Sequence, residues 1–136
     1  MSIELWSLLI ASVMVASLWI PFIVGVNMHL PATEELGLRP PDLRLLPDWV
    51  QRANRAHLNL VEQFVPFAAL VLVAQLADTS SVVTQWACIA FVGLRIAHAL
   101  GYITAWTRIP ARPVIFTLAW IALLVLAIEI ARLSLA

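Results

Sequence analysis

Charged residues are scarce in this chain, and lysine is absent, so that every basic side chain other than histidine is an arginine. Hydrophobic residues make up 62% of the 136 residues and charged residues only 12%, whereas soluble domains carry about 25% charged residues. We therefore expect the chain to fold in lipid rather than in water. The formal net charge is zero and there is no block of like charges, which argues against a nucleic-acid-binding surface of the usual basic kind.

Cysteine and metal-ligand patterns are also nearly missing. Cys88 is the only cysteine, so no disulfide can form within the chain. Because it lies in an apolar run, we expect a small buried side chain rather than a nucleophile. The three histidines, His29, His57 and His98, do not have the spacing of metal ligands, and no phosphate-binding loop or haem motif is present. The sequence therefore predicts no metal site.

What the chain does contain is four long apolar segments, at about residues 5–26, 50–77, 82–106 and 113–135. Each has the ~20 residues that are needed to cross ~30 Å of hydrocarbon as an α-helix. The first connection contains several prolines, which predicts an irregular loop. The segment Asp78–Ser81 is a turn that supplies N-cap candidates for the third helix. In the last connection, Pro113 suits the first turn of the fourth helix. We predict a single all-α domain over residues 1–136, an integral membrane four-helix bundle.

The arginines are distributed unevenly between the two ends of this bundle. One end carries Arg39, Arg44, Arg52, Arg55, Arg108 and Arg112, and the other end carries only Arg132. Arginine and lysine are enriched in cytoplasmic loops of membrane proteins. The arginine-rich end is therefore predicted to be cytoplasmic, with both termini on the non-cytoplasmic side.

Two of the segments carry polar side chains among apolar ones. They are Arg52, Arg55, Asn59 and Glu62 on the second segment, and Arg95, His98 and Tyr102 on the third. Spacings of three and four residues place each set on one face of its helix. Charges inside a membrane are costly, so these residues are candidates for function.

A short turn centred between Asp78 and Thr79 makes the second and third helices antiparallel, so that residue i lies level with residue 157 − i. Glu62 is then level with Arg95, and Asn59 with His98. We predict a polar cleft between these helices, in which Glu62 and Arg95 form a structural ion pair because a buried charge needs a partner. The alternative is that the polar residues only tie the helices together. A cleft with several arginines and one carboxylate suits a small zwitterion with more than one carboxylate.

Three motifs in this region point to a known family. They are Arg52-Ala-Asn-Arg-Ala-His-Leu-Asn-Leu-Val-Glu62, Arg95-Ile-Ala-His-Ala-Leu-Gly-Tyr102 and Arg108-Ile-Pro-Ala-Arg-Pro-Val-Ile-Phe116. Together they resemble the second-helix signature, the third-helix motif and the fourth-helix entry of the MAPEG family, the membrane-associated proteins in eicosanoid and glutathione metabolism.

The resemblance implies a homotrimer that binds glutathione as co-substrate between subunits, near the cytoplasmic face. It further implies that the glutathione thiolate attacks a lipophilic electrophile or reduces a hydroperoxide. By position, it makes Arg112 the catalytic arginine that stabilises the thiolate. By the same carry-over, the glutathione-binding residues are Arg55, Asn59, Glu62, His98 and Tyr102.

We therefore expect a glutathione- or other thiol-dependent transferase or peroxidase in a bacterial inner membrane, with membrane lipid and a lipophilic small molecule as partners. One alternative is a noncatalytic lipid-binding member of the family. Two departures from the family favour this alternative. Some members have a tyrosine at the position of Phe116, and the best-studied members carry an arginine in the region of residues 27–29, where this chain has none. The other alternative is a small four-helix transporter, although such transporters rely on a carboxylate in the first helix and residues 5–26 contain none.

Overall fold

The computed structural model describes residues 1–31, 38–106 and 111–135, and in these ranges it contains helices and no strand. The helices are α1 (Ile3–Leu18), α2 (Ile20–His29), α3 (Asp48–Leu76), α4 (Val82–Ile103) and α5 (Ala111–Ser134), with a 3₁₀ turn at Leu43–Leu45. Within the described ranges four spans are long and apolar enough to cross a membrane, with α1 and α2 forming one span from Ile3 to His29. The prediction of an all-α bundle with four spans is confirmed.

The first span is interrupted where the sequence predicted one continuous helix over residues 5–26. α1 ends at Leu18 and α2 begins at Ile20, with Trp19 between them. Pro21 is the cause, because it has no N–H to donate to the carbonyl of Ser17 and its ring crowds the preceding turn. The Trp19 indole Nε1 donates to the carbonyl of Ala16 at 2.7 Å, which supplies one of the carbonyls at the break with a partner.

The turn between α3 and α4 forms where the sequence placed it. Asp78 has a φ of 51°, and the Thr79 N–H donates to the Ala74 carbonyl at 2.9 Å. Ser81 is the N-cap of α4: its Oγ accepts from the Thr84 N–H at 3.2 Å, and Thr84 Oγ1 accepts from the Ser81 N–H at 2.8 Å. This reciprocal capping box satisfies two donors that a helix start leaves unpaired.

The apolar core lies between α1, α3, α4 and α5. At its centre the rings of Phe67 and Phe91 stack with centroids 4.2 Å apart, and neither is exposed. Cys88 belongs to the same cluster and is also fully buried, as its apolar surroundings predicted. The stack fixes the relative depth of α3 and α4 in the bundle.

Polar contacts join three elements at one end of the bundle. The buried Glu4 of α1 accepts from Ser80 Oγ at 2.8 Å and from Thr84 Oγ1 at 2.7 Å. Ser81 Oγ donates to Glu129 of α5 at 3.0 Å. The start of α1, the α3–α4 turn and the last part of α5 therefore share one end, and the arginine-rich connections lie at the other. Which end faces the cytoplasm remains a prediction.

Candidate functional site

An open pocket of about 400 Å³ lies toward the arginine-rich end of the bundle, between the start of α5 and the facing parts of α3 and α4. It is lined by Asn59, His98, Arg112, Pro113, Phe116 and Thr117. Three of these, Asn59, His98 and Arg112, are residues that the sequence motifs singled out. Residues far apart in the chain are thus brought to one cavity with polar and apolar walls.

Two stacked rings of α4 lie at the inner side of the pocket, and of the two only His98 lines it. The rings of His98 and Tyr102 are 5.7 Å apart and nearly parallel, at 16°. The Arg112 Cζ atom lies 4.1 Å from the Tyr102 ring centroid, where the ring face attracts a cation. Tyr102 is buried, so it holds the guanidinium in place from behind rather than lining the pocket.

The Arg112 guanidinium has no carboxylate within ion-pair distance among the described residues, in which the ion pairs are Arg44 with Asp42 and Arg132 with Glu129. Since cation–π contact does not neutralise a charge, the positive charge of Arg112 is available to an anion in the pocket. Pro113 follows it in the first turn of α5, and Phe116 lies one turn further along the helix.

The remaining predicted residues of α3 are not all brought to the pocket. Asn59 is half-buried and lines it, whereas Arg55 and Glu62 are exposed on the outer side of α3. Arg52 lies near the pocket end of the helix, where its Nε donates to the carbonyl of Ile103 at 3.2 Å and ties α3 to the end of α4.

The predicted ion pair between Glu62 and Arg95 is not formed within the chain, and this part of the prediction is corrected. Arg95 is only 2% exposed, and its Nη2 donates to the carbonyl of Phe116 at 3.2 Å. Its Cζ atom lies 4.9 Å from the Phe116 ring centroid. The reason is rotation: the polar face of α4 is directed at α5, while the buried face of α3 contains Gln63 and leaves Glu62 outside.

The predicted depth register of the two helices, by contrast, agrees with the contacts. Phe67 stacks on Phe91, where the register places residue 90 level with it. Arg52 bonds to Ile103, where the register places residue 105. Asn59 and His98, predicted to be level, line one pocket. The turn therefore determined the depth of each residue, but not the face on which it lies.

Sequence reasoning missed Thr117 and the buried Gln63, and it noted Phe116 only as a departure from the family. A signal for Gln63 was available, since it lies four residues after Asn59 and so continues the same helix face. Within the described ranges no three histidine, cysteine or acidic side chains are close enough to hold a metal ion.

A helical bundle with four membrane-spanning lengths defines an integral membrane protein, and its open pocket at one end combines Arg112 with other polar and apolar residues. The model of the MAPEG family matches residues 3–132, and the chain therefore belongs to the MAPEG family. It is similar to human microsomal glutathione S-transferase 1, with 39% identity over 59 residues, which cover 42% of this chain and 37% of that protein. The pig protein of the same name is 40% identical over 57 residues, covering 40% of this chain and 36% of its own. The matched stretch thus spans little more than a third of either relative.

Proposed function

We propose that this protein is a glutathione-dependent transferase or peroxidase, or one that uses a related thiol, and that it acts on lipophilic electrophiles or hydroperoxides. The observation that carries the proposal is Arg112, which has no carboxylate partner among the described residues and lines a pocket with Asn59 and His98. The similarity to two microsomal glutathione S-transferases supports glutathione as the thiol.

Arg112 supplies the chemistry that a thiol transferase needs. A free thiol has a pKa of about 8.5 and is mostly protonated at neutral pH, whereas a nearby cation favours the thiolate. The Tyr102 ring holds the guanidinium 4.1 Å from its centroid without neutralising it. A thiolate beside Arg112 forms a bond from sulfur to the electrophilic carbon, and the leaving group departs with the electron pair. With a hydroperoxide, the thiolate sulfur attacks the terminal oxygen, the O–O bond breaks, and the alkoxide leaves and is protonated to the alcohol. A second thiol then attacks the sulfur of the resulting sulfenic acid, which forms the disulfide and releases water.

The exposed charges on α3 support an assembly in which a second copy covers that face, and we propose the homotrimer that the family resemblance implies. Arg55 and Glu62 lie on the outer side of a membrane-spanning helix, where contact with lipid is costly for charged groups. In the assembly Arg55 binds a carboxylate of glutathione through its planar fork, and Glu62 binds the ammonium group.

The proposed orientation places the pocket at the cytoplasmic face of a bacterial inner membrane, with both termini on the opposite side. Its support is the arginine content of the pocket end, which includes Arg44, Arg52, Arg55 and Arg112. In this orientation a soluble thiol enters from the cytoplasm and the lipophilic substrate enters from the bilayer.

The test is the replacement Arg112→Ala in the purified, membrane-reconstituted protein, assayed with glutathione and a chromogenic electrophile. Losing a dedicated electrostatic contact commonly lowers the rate ~10²–10³-fold, and we expect a loss of that size. Arg44→Ala is the matched control, because Arg44 belongs to the arginine-rich end but its side chain is 90% exposed. Wild-type activity in Arg112→Ala, or equal losses in both variants, would contradict the assignment.

A noncatalytic lipid-binding role is the second candidate, and two features favour it. Phe116 gives the pocket wall an aromatic ring without a hydroxyl group. A second groove, of about 260 Å³ and almost wholly apolar, lies beside the break between α1 and α2. If wild type conjugates no electrophile and glutathione does not raise its unfolding temperature, as a ligand of the folded state must, this role replaces the enzymatic one.

A further inference from the structure

Two buried polar side chains beneath the pocket have hydrogen-bonding atoms without partners. Arg95 is 2% exposed, and its Nε and Nη1 have no acceptor, although Nη2 donates to the Phe116 carbonyl. Gln63 is 7% exposed, and its Oε1 has no donor. A buried donor or acceptor without a partner destabilises the folded state, and a charged one does so more strongly. The two Arg95 donors and the Gln63 acceptor therefore each call for a hydrogen-bond partner in the membrane-embedded protein.

The ring stack in the core places these two residues at the same depth. Phe67 of α3 stacks on Phe91 of α4. Gln63 lies four residues, about one helical turn, before Phe67, and Arg95 lies one turn after Phe91. Because α3 and α4 are antiparallel, both residues are displaced from the ring stack in the same direction, toward the pocket. The Arg95 Cζ atom is still only 5.8 Å from the Phe91 ring centroid, so the guanidinium stays near the contact between α3 and α4.

We infer that Gln63 Oε1 accepts a hydrogen bond from the Arg95 guanidinium in the membrane-embedded protein, and that this link makes Arg95 a positioning residue for the pocket. The positioning role of Arg95 rests on the proposed function. Arg95 then joins three helices: its own α4, α3 through Gln63, and α5 through the Phe116 carbonyl. Phe116 lines the pocket and lies one turn after Arg112, so the link holds the start of α5, and the Arg112 guanidinium with it, at a fixed place relative to Asn59 and His98.

Gln63 supplies an acceptor but no charge. No carboxylate in the described ranges lies within ion-pair distance of Arg95. Gln63→Glu should therefore give the buried cation a counter-charge, whereas Gln63→Leu removes the acceptor at similar volume. In a protein without the cation, Gln63→Glu instead buries an unpaired charge, which is destabilising.

A double-mutant cycle with the full chain in detergent tests the link. We expect Gln63→Glu to raise the unfolding temperature in the wild-type background and to lower it in the Arg95→Met background. Gln63→Leu should lower it in the wild type and have little effect with Arg95→Met. Gln75→Glu and Gln75→Leu, at a half-buried position of the same helix, are controls that should act equally in both backgrounds. If Arg95→Met does not fold, Arg95→Lys replaces it, and the coupling should shrink without changing sign.

Equal effects of the Gln63 variants in both backgrounds would overturn the link. A second outcome would also overturn the link, namely that Glu62→Gln is energetically coupled to Arg95 while changes at Gln63 are not. This result would mean that Glu62 of a neighbouring copy is the partner of Arg95.

The positioning role has its own measurement, the ultraviolet absorbance of thiolate per bound glutathione. In Gln63→Leu we expect bound glutathione to be less ionised, with conjugation about tenfold slower, since Arg112 is no longer held beside the sulfur. An unchanged thiolate fraction per bound ligand would mean that Gln63 and Arg95 serve stability alone. If wild type binds no glutathione, the proposed function and the positioning role both fail, while the cycle still decides the link.

Discussion

A methyl group added at Gly25 has no room, and Gly25→Ala therefore tests how closely α2 approaches α3. The new Cβ would overlap Val50 Cγ2 and lie 2.7 Å from Val50 Cγ1. Val50 is fully buried, so it cannot turn aside into lipid. Overpacking of this kind costs about 1–3 kcal/mol, while alanine gains at most about 1 kcal/mol over glycine in a helix. With the full alanine gain the net loss is up to about 2 kcal/mol, which corresponds to a fall of up to roughly 8 °C in unfolding temperature for a chain of this size.

The assay is thermal unfolding in detergent, and a second helical glycine provides the control. Gly93 has no atom within 4 Å of its would-be Cβ, so Gly93→Ala should be neutral or stabilising. The double variant Gly25→Ala/Val50→Ala should lose less than the sum of its single changes, because shortening Val50 makes room for the methyl group. Equal effects at both glycines, or strict additivity in the double variant, would refute the described packing of α2 on α3.

Two further predictions concern the helix cap and the orientation. Ser81→Ala removes the capping box of α4 and the hydrogen bond to Glu129. We therefore expect the free energy of unfolding in detergent to fall by about 1–2 kcal/mol. The control is Ser134→Ala at the exposed end of α5, which should change stability by less than about 0.5 kcal/mol. A topology reporter fused to Ala136 should report the non-cytoplasmic side, and a reporter inserted at Glu34–Glu35 should report the cytoplasm; both positions lie outside the described residues. The opposite result would contradict the orientation predicted from the arginines.

The elements of the fold that the sequence predicted are those set by local physics. Four apolar runs of sufficient length gave the four spans, and the turn Asp78–Ser81 was expected to supply the cap of the next helix, which in the structure is Ser81. The break at Trp19 was missed because hydropathy does not change there: Pro21 interrupts hydrogen bonding but not apolarity. The ends of α4 and α5 also differ from the predicted limits by a few residues, which is usual for helix termini.

The candidate site shows where sequence reasoning stops. Its depth followed from the turn, since a short connection leaves little freedom in how far two helices slide past each other. The rotation of α3 and α4 about their axes did not follow from the sequence. α4 directs Arg95, His98 and Tyr102 toward α5, and the residue spacing within α3 and α4 contains no information on where a third helix packs. Neighbouring residues on a helix point about 100° apart, so the choice between Glu62 and Gln63 as the interior partner depended entirely on that rotation.

This difference leads to a prediction that separates the two arrangements, the replacement Glu62→Gln. If Glu62 neutralised a buried Arg95, its loss would strand that charge and destabilise the protein by about 3–5 kcal/mol. In the structure Glu62 is exposed and apart from Arg95, so we expect a stability change below about 0.5 kcal/mol in detergent unfolding. Its proposed role is to bind the glutathione ammonium, and a charge-assisted hydrogen bond contributes about 1.5–3 kcal/mol. Titration calorimetry should therefore show affinity for glutathione weakened roughly 10- to 100-fold, while Asp78→Asn, an exposed carboxylate at the other end of the bundle, should bind as wild type does. A variant that loses several kcal/mol of stability, or that binds glutathione unchanged, would contradict this placement of Glu62.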